Sequence, residues 1–380
     1  MTETPTRRSR IGWAALALAE APVVAAVVVG LAAVYLPPRP YWWAQLVSIG
    51  LPYAAWALGA FGVVWLLGRR WGAVAVHLAL LAVVGVRAGA LDRLSAPEPD
   101  AAGFVLTTFN VPQVGPSREA LGDSVVAYIA ATEPDLMLMQ DAWVFGRNER
   151  TAGQAVQVEA VDERLPYTLQ VPARLAGHPG WRSNATGVPL LTRDQAGVEV
   201  LEQEALVLGV ERDADVSLAL RSHLRLGGRE LVVYNVHLRS FGESKPWEDE
   251  AVRLTRPGTW RPYLARYRGV YAKRGDETAE IAQRVADEEL PVVIAGDLNS
   301  TADNWSYRAL RTAGGVDRAD AFQAAGGWGW GRTYHAARPF VRIDFVLVDP
   351  ALEVVSAQTT PVTFSDHRPV RVGLRWRAPE

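Results

Sequence analysis

From residue 11 to residue 91 apolar positions follow one another with almost no charge among them. Three stretches, 11–36, 41–67 and 71–91, are each long enough to cross roughly 30 Å of hydrocarbon, which takes about 20 residues. Pro37, Pro38, Arg39 and Pro40 separate the first two, and Gly68, Arg69 and Arg70 separate the last two. The pattern predicts an N-terminal membrane domain, residues 1–95, with three transmembrane helices. No small-residue cleavage site followed by polar sequence precedes the second stretch, which argues against a cleaved signal peptide. Arg7, Arg8 and Arg10 precede the first stretch, Arg39 sits in the first loop, Arg69 and Arg70 in the second, and Arg93 follows the third. The positive-inside rule places the N-terminus and the second loop in the cytoplasm, so three crossings put everything after about residue 95 outside a multi-pass protein of the cell membrane. Glu20 and Arg87 are within snorkelling reach of interfaces, and His77 is expected to pack between helices.

After a Pro-containing linker, residues 96–103, the pattern changes to short apolar runs punctuated by turn clusters. Strands are expected at 104–109, 136–140, 187–192, 216–224, 231–238, 291–295, 342–348 and 370–376. Helical periodicity covers 118–132 and 278–290, the second opening behind Asp276 as N-cap. Many strands with few helices between them argue for an α/β architecture of two packed sheets flanked by helices over residues 104–380.

Composition narrows the chemistry. The formal net charge is −2 over 380 residues, and the pI near 6.4 supplies no global field for nucleic acid. There is no cysteine, which excludes disulfides and thiolate metal sites. The strands end on polar groups: Asn110, Asp141, Asn235 with His237, Asp297 with Asn299, Asp344, and finally Ser365, Asp366 and His367 ahead of the last strand. Asp, Asn and Gly are ordinary turn formers, so one such end carries no weight. Six of them describe a site gathered at one end of the sheets. Carboxylate and amide oxygens suit Mg²⁺ or Mn²⁺, which bind phosphate oxygens. Histidines beside carboxylates suit charge stabilisation and proton transfer on a phosphate.

The ordered set TFNV, LMLMQD, YNVHL, AGDLNS, RIDFVLV and SDHRPV, spanning residues 104–376, resembles the endonuclease/exonuclease/phosphatase superfamily. That resemblance implies a four-layered α/β sandwich and Mg²⁺-dependent attack of water on phosphorus. By the same resemblance Asn110 and Asp141 hold the metal, with Asp366 on the metal side. Asp297 orients and deprotonates the water, and Asn299 fixes Asp297. His367, held by Asp344, donates to a phosphoryl oxygen, and His237 flanks the phosphate. Asn235 is assigned to substrate. The family usually has Glu where this chain has Asp141, an arm shorter by roughly the 1.5 Å of one carbon–carbon bond, which matters to a cation that wants oxygens near 2.0–2.1 Å.

The substrate is less legible. Residues 251–275 hold seven arginines and lysines, among them Arg266 and Lys273, and no acid. Tyr263, Tyr267 and Tyr271 recur there at four-residue spacing. The segment reads either as a helix packing a tyrosine stripe, or as a basic interfacial element contacting anionic head groups through residues such as Arg266 and Lys273. Three spans before such a domain are similar to actinobacterial membrane proteins associated with teicoplanin resistance. The expectation is a membrane-anchored, outward-facing phosphohydrolase acting on a lipid-linked phosphate or pyrophosphate, with no protein partner evident. A membrane-bound nuclease or phosphodiesterase, and a weakly catalytic module that binds phosphorylated ligands, remain as alternatives.

Overall fold

The computed structural model describes residues 7–92, 102–111, 118–142, 161–170, 175–176, 187–210, 216–242, 246, 249–253, 255–327 and 331–378. Arg93 and residues 96–101 of the expected linker lie outside that set. Four helices come first: α1 (Arg7–Ala33), α2 (Pro38–Ile49), α3 (Leu51–Leu67) and α4 (Trp71–Arg87). Val27, Leu51, Leu58 and Val84 form their shared core. Among the described residues one helix, Ile11–Ala33, is long and apolar enough to cross a membrane. The expected second span is instead two helices bent by 57°. The bend falls at Gly50, just ahead of Pro52, whose nitrogen has no proton to donate. The third is 17 residues long, about 26 Å at 1.5 Å per residue. His77 of α4 is buried: its Nδ1 lies 2.8 Å from the Ala73 carbonyl, and its Nε2 3.4 Å from Glu20, which accepts from Trp65 Nε1 at 2.5 Å.

Two mixed sheets follow. In chain order their elements are β1 (Phe104–Asn110), α5 (Arg118–Thr132), β2 (Leu136–Gln140), β3 (Tyr167–Gln170), β4 (Leu175–Ala176), β5 (Leu190–Arg193), β6 (Val198–Val210), β7 (Val216–Leu226) and β8 (Arg229–His237). Then come α6 (Pro257–Ala286), β9 (Val292–Asp297), α7 (Trp305–Arg311), β10 (Ala319–Asp320), α8 (Ala321–Ala324), β11 (Asp344–Val348), β12 (Leu352–Thr359) and β13 (Val370–Trp376). One sheet has the order β12-β13-β1-β2-β5-β3, the other β10-β11-β9-β8-β7-β6-β4. β1 is parallel to β2, and β8 to β9. The layers follow from alternate side chains along each strand. Leu106, Leu138, Leu220, Val233, Val346 and Val372 fill the space between the sheets. Phe109, Met137 and Met139 turn outward onto Val125 and Ile129 of α5, while Val232, Tyr234 and Ile294 turn onto Ile281 and Val285 of α6.

The helix expected at 278–290 begins far earlier, at Pro257, and runs 30 residues. Tyr267, Tyr271, Thr278, Ile281 and Val285 make one continuous buried face at spacings of three to seven, so tertiary packing carries the helix through the basic stretch. Asp276 is therefore not an N-cap; it pairs with Arg39 of α2 at 2.5 Å. β6 and β12 were not expected from the apolar pattern. β6 carries Glu199, Glu202 and Glu204 on its length, and the charge on one face masks the apolar residues that pack from the other.

Candidate active site

Pairing register puts the first three groups in one row. On adjacent strands of the second sheet His237 pairs with Asp297 and Asp297 with Asp344. In the first sheet Asn110 pairs with Gln140. Buried amide bonds then tie the ends of the two sheets together. Asn110 Nδ2 donates to Asp297 Oδ2 at 2.9 Å, and Gln140 Nε2 to Asn235 Oδ1 at 2.7 Å. Asn235 Nδ2 donates to the carbonyls of Met139 and Pro189. Asn235, assigned to substrate on sequence grounds, is thus occupied in joining the sheets.

The turn after β9 shapes the Asp297 carboxylate. Asn299 adopts φ 46°, a left-handed conformation that asparagine tolerates better than most residues. It thereby donates its backbone N–H to Asp297 Oδ1 at 2.7 Å and its Nδ2 to Oδ2 at 3.2 Å and to the Leu238 carbonyl at 2.9 Å. Gly296, immediately before, has φ 139°, and a Cβ there would lie 1.9 Å from the Val236 carbonyl oxygen. No side chain fits where β8 and β9 approach so closely.

His367 enters from the segment before β13. Ser365 Oγ donates to the Asn110 carbonyl at 2.8 Å and accepts from the His367 N–H at 2.9 Å, which locks the turn to the end of β1. The ring's Nδ1 is 3.0 Å from Asp344 Oδ2, and its Nε2 is 3.8 Å from Asp297 Oδ2. His237 Nε2 approaches the same Asp297 oxygen at 3.8 Å, with its Nδ1 3.5 Å from Asp141. Burial disfavours charge on His367, but the carboxylates of Asp344 and Asp297 outweigh it and raise the pKa to about 10. Burial, and then the charge of Asp344, push Asp297 up to about 6, against the two histidines. The pair accordingly offers a base near neutrality beside an imidazolium.

Two features fit a divalent cation. The carboxylates of Asp297 and Asp344, within 4.8 Å of one another and of the charged His367 ring, gather negative charge at this end of the sheets. In addition, the buried Asn110 Oδ1 and Asp366 Oδ1 have no hydrogen-bond partner among the described residues, an arrangement costly for acceptors unless something positive satisfies them. Asp141, at φ 54°, is 39% exposed and faces the same end.

The basic segment contributes differently from expectation. Tyr267 and Tyr271 are buried against Phe241, at 4.5 and 5.2 Å between ring centroids, so the tyrosine stripe is packing. Arg266 is exposed and lies over Gly242, and Lys273 is half-buried. The cation turned inward is Arg274. Its guanidinium lies against Phe241 and Tyr271, its Nε donates to the Arg239 carbonyl at 2.8 Å, and its two terminal nitrogens are buried without a partner among the described residues. Burial lowers its pKa, and the charge of Asp297 is among the influences that oppose this. Arg239 is held by Glu277 through both its N–H and its Nε at 3.0 Å. The one local signal that sets Arg274 apart from its basic neighbours is its three-residue offset from Tyr271, which puts the two on one helical face.

The sequence profile described as the Endonuclease/Exonuclease/phosphatase family matches residues 107–367. Among solved structures, the endonuclease/exonuclease/phosphatase from Bacteroides vulgatus is similar at TM-score 0.50 and 21% identity, covering 72% of this chain and 99% of that one. D. rerio TDP2 complexed with a single-strand DNA product is similar at TM-score 0.50 and 13% identity, over 72% and 98%. The mannosyl-6-phosphatase from Bacteroides thetaiotaomicron aligns at TM-score 0.49 and 15% identity, over 72% and 100%. The first two likenesses speak to the fold. No curated protein matches the chain.

Proposed function

This chain belongs to the endonuclease/exonuclease/phosphatase family of phosphoester hydrolases, and from that premise we propose a membrane-anchored, outward-facing, Mg²⁺-dependent phosphohydrolase acting on a lipid-linked phosphate or pyrophosphate. The observation that carries the lipid assignment is the seat of the site. The loop that follows Asp297, α7 and the segment before β11 meet the same end of the helical unit where α1 and α4 finish and α3 begins, through Arg87 on Asp303, Arg308 over Tyr35, and Tyr53 on the Phe340 carbonyl, respectively. Around that end Tyr35, Tyr41, Trp43, Tyr53 and Trp56 are exposed, as expected of aromatic side chains at a membrane–water interface. A phosphate presented at the bilayer surface would reach Asp297 without leaving its lipid. In this reading residues 1–95 form the membrane domain, residues 96–103 the linker and residues 104–380 the catalytic domain. The arginine asymmetry sets the N-terminus in the cytoplasm.

Asp297, fixed by Asn299 and Asn110, accepts the proton of the attacking water as the new oxygen–phosphorus bond forms and the ester or anhydride bond breaks. His367, its Nδ1 held by Asp344, directs Nε2–H at the oxygen on which charge accumulates, and His237 supports the other side. Arg274 has two terminal nitrogens without a partner among the described residues, and its charge interacts with that of Asp297, which suits a neighbouring phosphate oxygen better than the exposed Arg266 or the half-buried Lys273 does. Asp141, Asn110 and Asp366 would hold the cation, which when bound supplies further neutralisation of the phosphoryl oxygens.

The test is Mg²⁺-dependent release of inorganic phosphate from polyprenyl pyrophosphate by the detergent-solubilised full chain, with Asp297→Asn as blank and plasmid DNA as competing substrate. Release that vanishes in the blank is expected. Cleavage of DNA alone would replace the lipid reading with a surface nuclease, and turnover of neither would favour a phosphate-binding module.

A further inference from the structure

Gln45 is an amide buried in a largely apolar N-terminal segment, and its hydrogen-bonding capacity is spent in two directions. Its Nε2 donates to the carbonyls of Ala33 at 2.9 Å and Leu36 at 2.8 Å, at the end of α1, where helical carbonyls lack partners within their own helix. Its Oε1 accepts from the backbone N–H of Trp305 at 2.9 Å. The first residue of α7 is therefore satisfied by a side chain 260 positions earlier in the chain. Asn304 doubles the connection. Its Nδ2 donates to Ser48 Oγ at 2.8 Å and to the Gln45 carbonyl at 3.0 Å, and its Oδ1 accepts from the Thr301 N–H at 2.8 Å. Thr301 lies two residues beyond Asn299, which shapes the Asp297 carboxylate. Gln45, Ser48 and Asn304 are each 1% exposed. In so dry a contact a lost partner leaves a donor or acceptor unsatisfied, so these bonds constrain geometry as well as join surfaces.

We propose that Gln45 is a positioning residue for the hydrolytic site, holding the 299–305 loop through Asn304 and Trp305 so that Asn299 orients Asp297 only while the N-terminal helices are docked. The catalytic consequence rests on the hydrolase reading above; the clasp itself does not. Asn299 sits in a left-handed conformation held by its own bonds to Asp297 and the Leu238 carbonyl, and the clasp fixes the chain two residues further on, at Thr301, from the helical unit.

The experiment uses the full chain in detergent and two readouts. Hydrogen–deuterium exchange of peptides covering 299–305 is compared among the wild type, Gln45→Met, the milder Ser48→Ala, and Val84→Ala, which loosens the helical core away from the clasp. The expected result is roughly tenfold faster exchange of the loop in Gln45→Met, a smaller rise in Ser48→Ala, and an unchanged loop in Val84→Ala, with β9 unaffected throughout. In parallel, Mg²⁺-dependent release of phosphate from polyprenyl pyrophosphate is expected to lose roughly ten- to a hundredfold in kcat in Gln45→Met, with KM within about twofold, while Val84→Ala keeps its kcat. Loop exchange equal to wild type in both clasp variants overturns the proposal, as does an equal loss of kcat in Val84→Ala. A wild type that hydrolyses nothing counts against the hydrolase reading instead, and the exchange data still decide the clasp.

Discussion

Asp344 stands directly opposite Asp297 on the neighbouring strand, and one imidazole spans the two: His367 Nδ1 is 3.0 Å from Asp344 and Nε2 3.8 Å from Asp297. The relation gives Asp344 a task distinct from that of Asp297. It fixes the proton on Nδ1 and sustains the positive ring, and it leaves Nε2 to face the reacting end of the site.

Replacing Asp344 by Asn should therefore reduce kcat by roughly 10²–10⁴-fold with little change in KM, since ring and shape remain while the tautomer and charge are lost. Steady-state kinetics of phosphate release from polyprenyl pyrophosphate would check it, and an unaltered kcat would remove Asp344 from the machinery.

Asp297→Asn and His367→Ala should each cost several powers of ten in kcat/KM, because both groups act as the transition state forms. A loss below about tenfold in both would falsify the assigned roles.

At position 141 the partly exposed side chain leaves room for a longer arm. Asp141→Glu is expected to keep or raise activity and to lower the Mg²⁺ concentration giving half-maximal rate, measured by metal titration. A higher metal requirement would mean that Asp141 is not the short link in the site.

Gly296→Ala should cost more than about 3 kcal/mol, because the new methyl meets the Val236 carbonyl oxygen at 1.9 Å and φ is 139°. Thermal unfolding of the purified protein measures this, and a melting temperature within a degree or two of wild type would contradict the close approach.

Asp303 pairs with Arg87 at 3.1 Å, yet burial raises its carboxyl to about 6, with Arg87 opposing. Its ordinary value is 3.8, so between those values the folded chain binds more protons than the unfolded one. Stability contributed by this group is thus greatest below pH 3.8 and declines as pH rises to about 6, by about 3 kcal/mol in total. Melting temperatures of wild type and Asp303→Asn recorded from pH 4 to 7 should diverge accordingly, the wild type losing more. Parallel curves would show that the carboxyl is not held in its protonated form.

The sequence by itself determined the α/β class, the family and the polar groups at the strand ends. These are local in character. An apolar run stopping on Asp297 and Asn299, or on Ser365 through His367, writes its signal within a few residues, and the order of six such stops suffices to name the family. Tertiary structure decided what depends on partners far away in the chain. Asn235 reads as a site residue until Gln140 and Met139 are seen to occupy it. The tyrosines of α6 read equally well as an interfacial face until Phe241 covers two of them, and Arg274 is distinguished from Arg266 only by the side of the helix that meets the sheet. Gln45 reads as a stray polar residue in an apolar span, because the groups that satisfy it on the catalytic side are some 260 residues away. Hydrophobic period reports which face of an element is buried, and a hydrogen bond across that distance leaves no periodic trace.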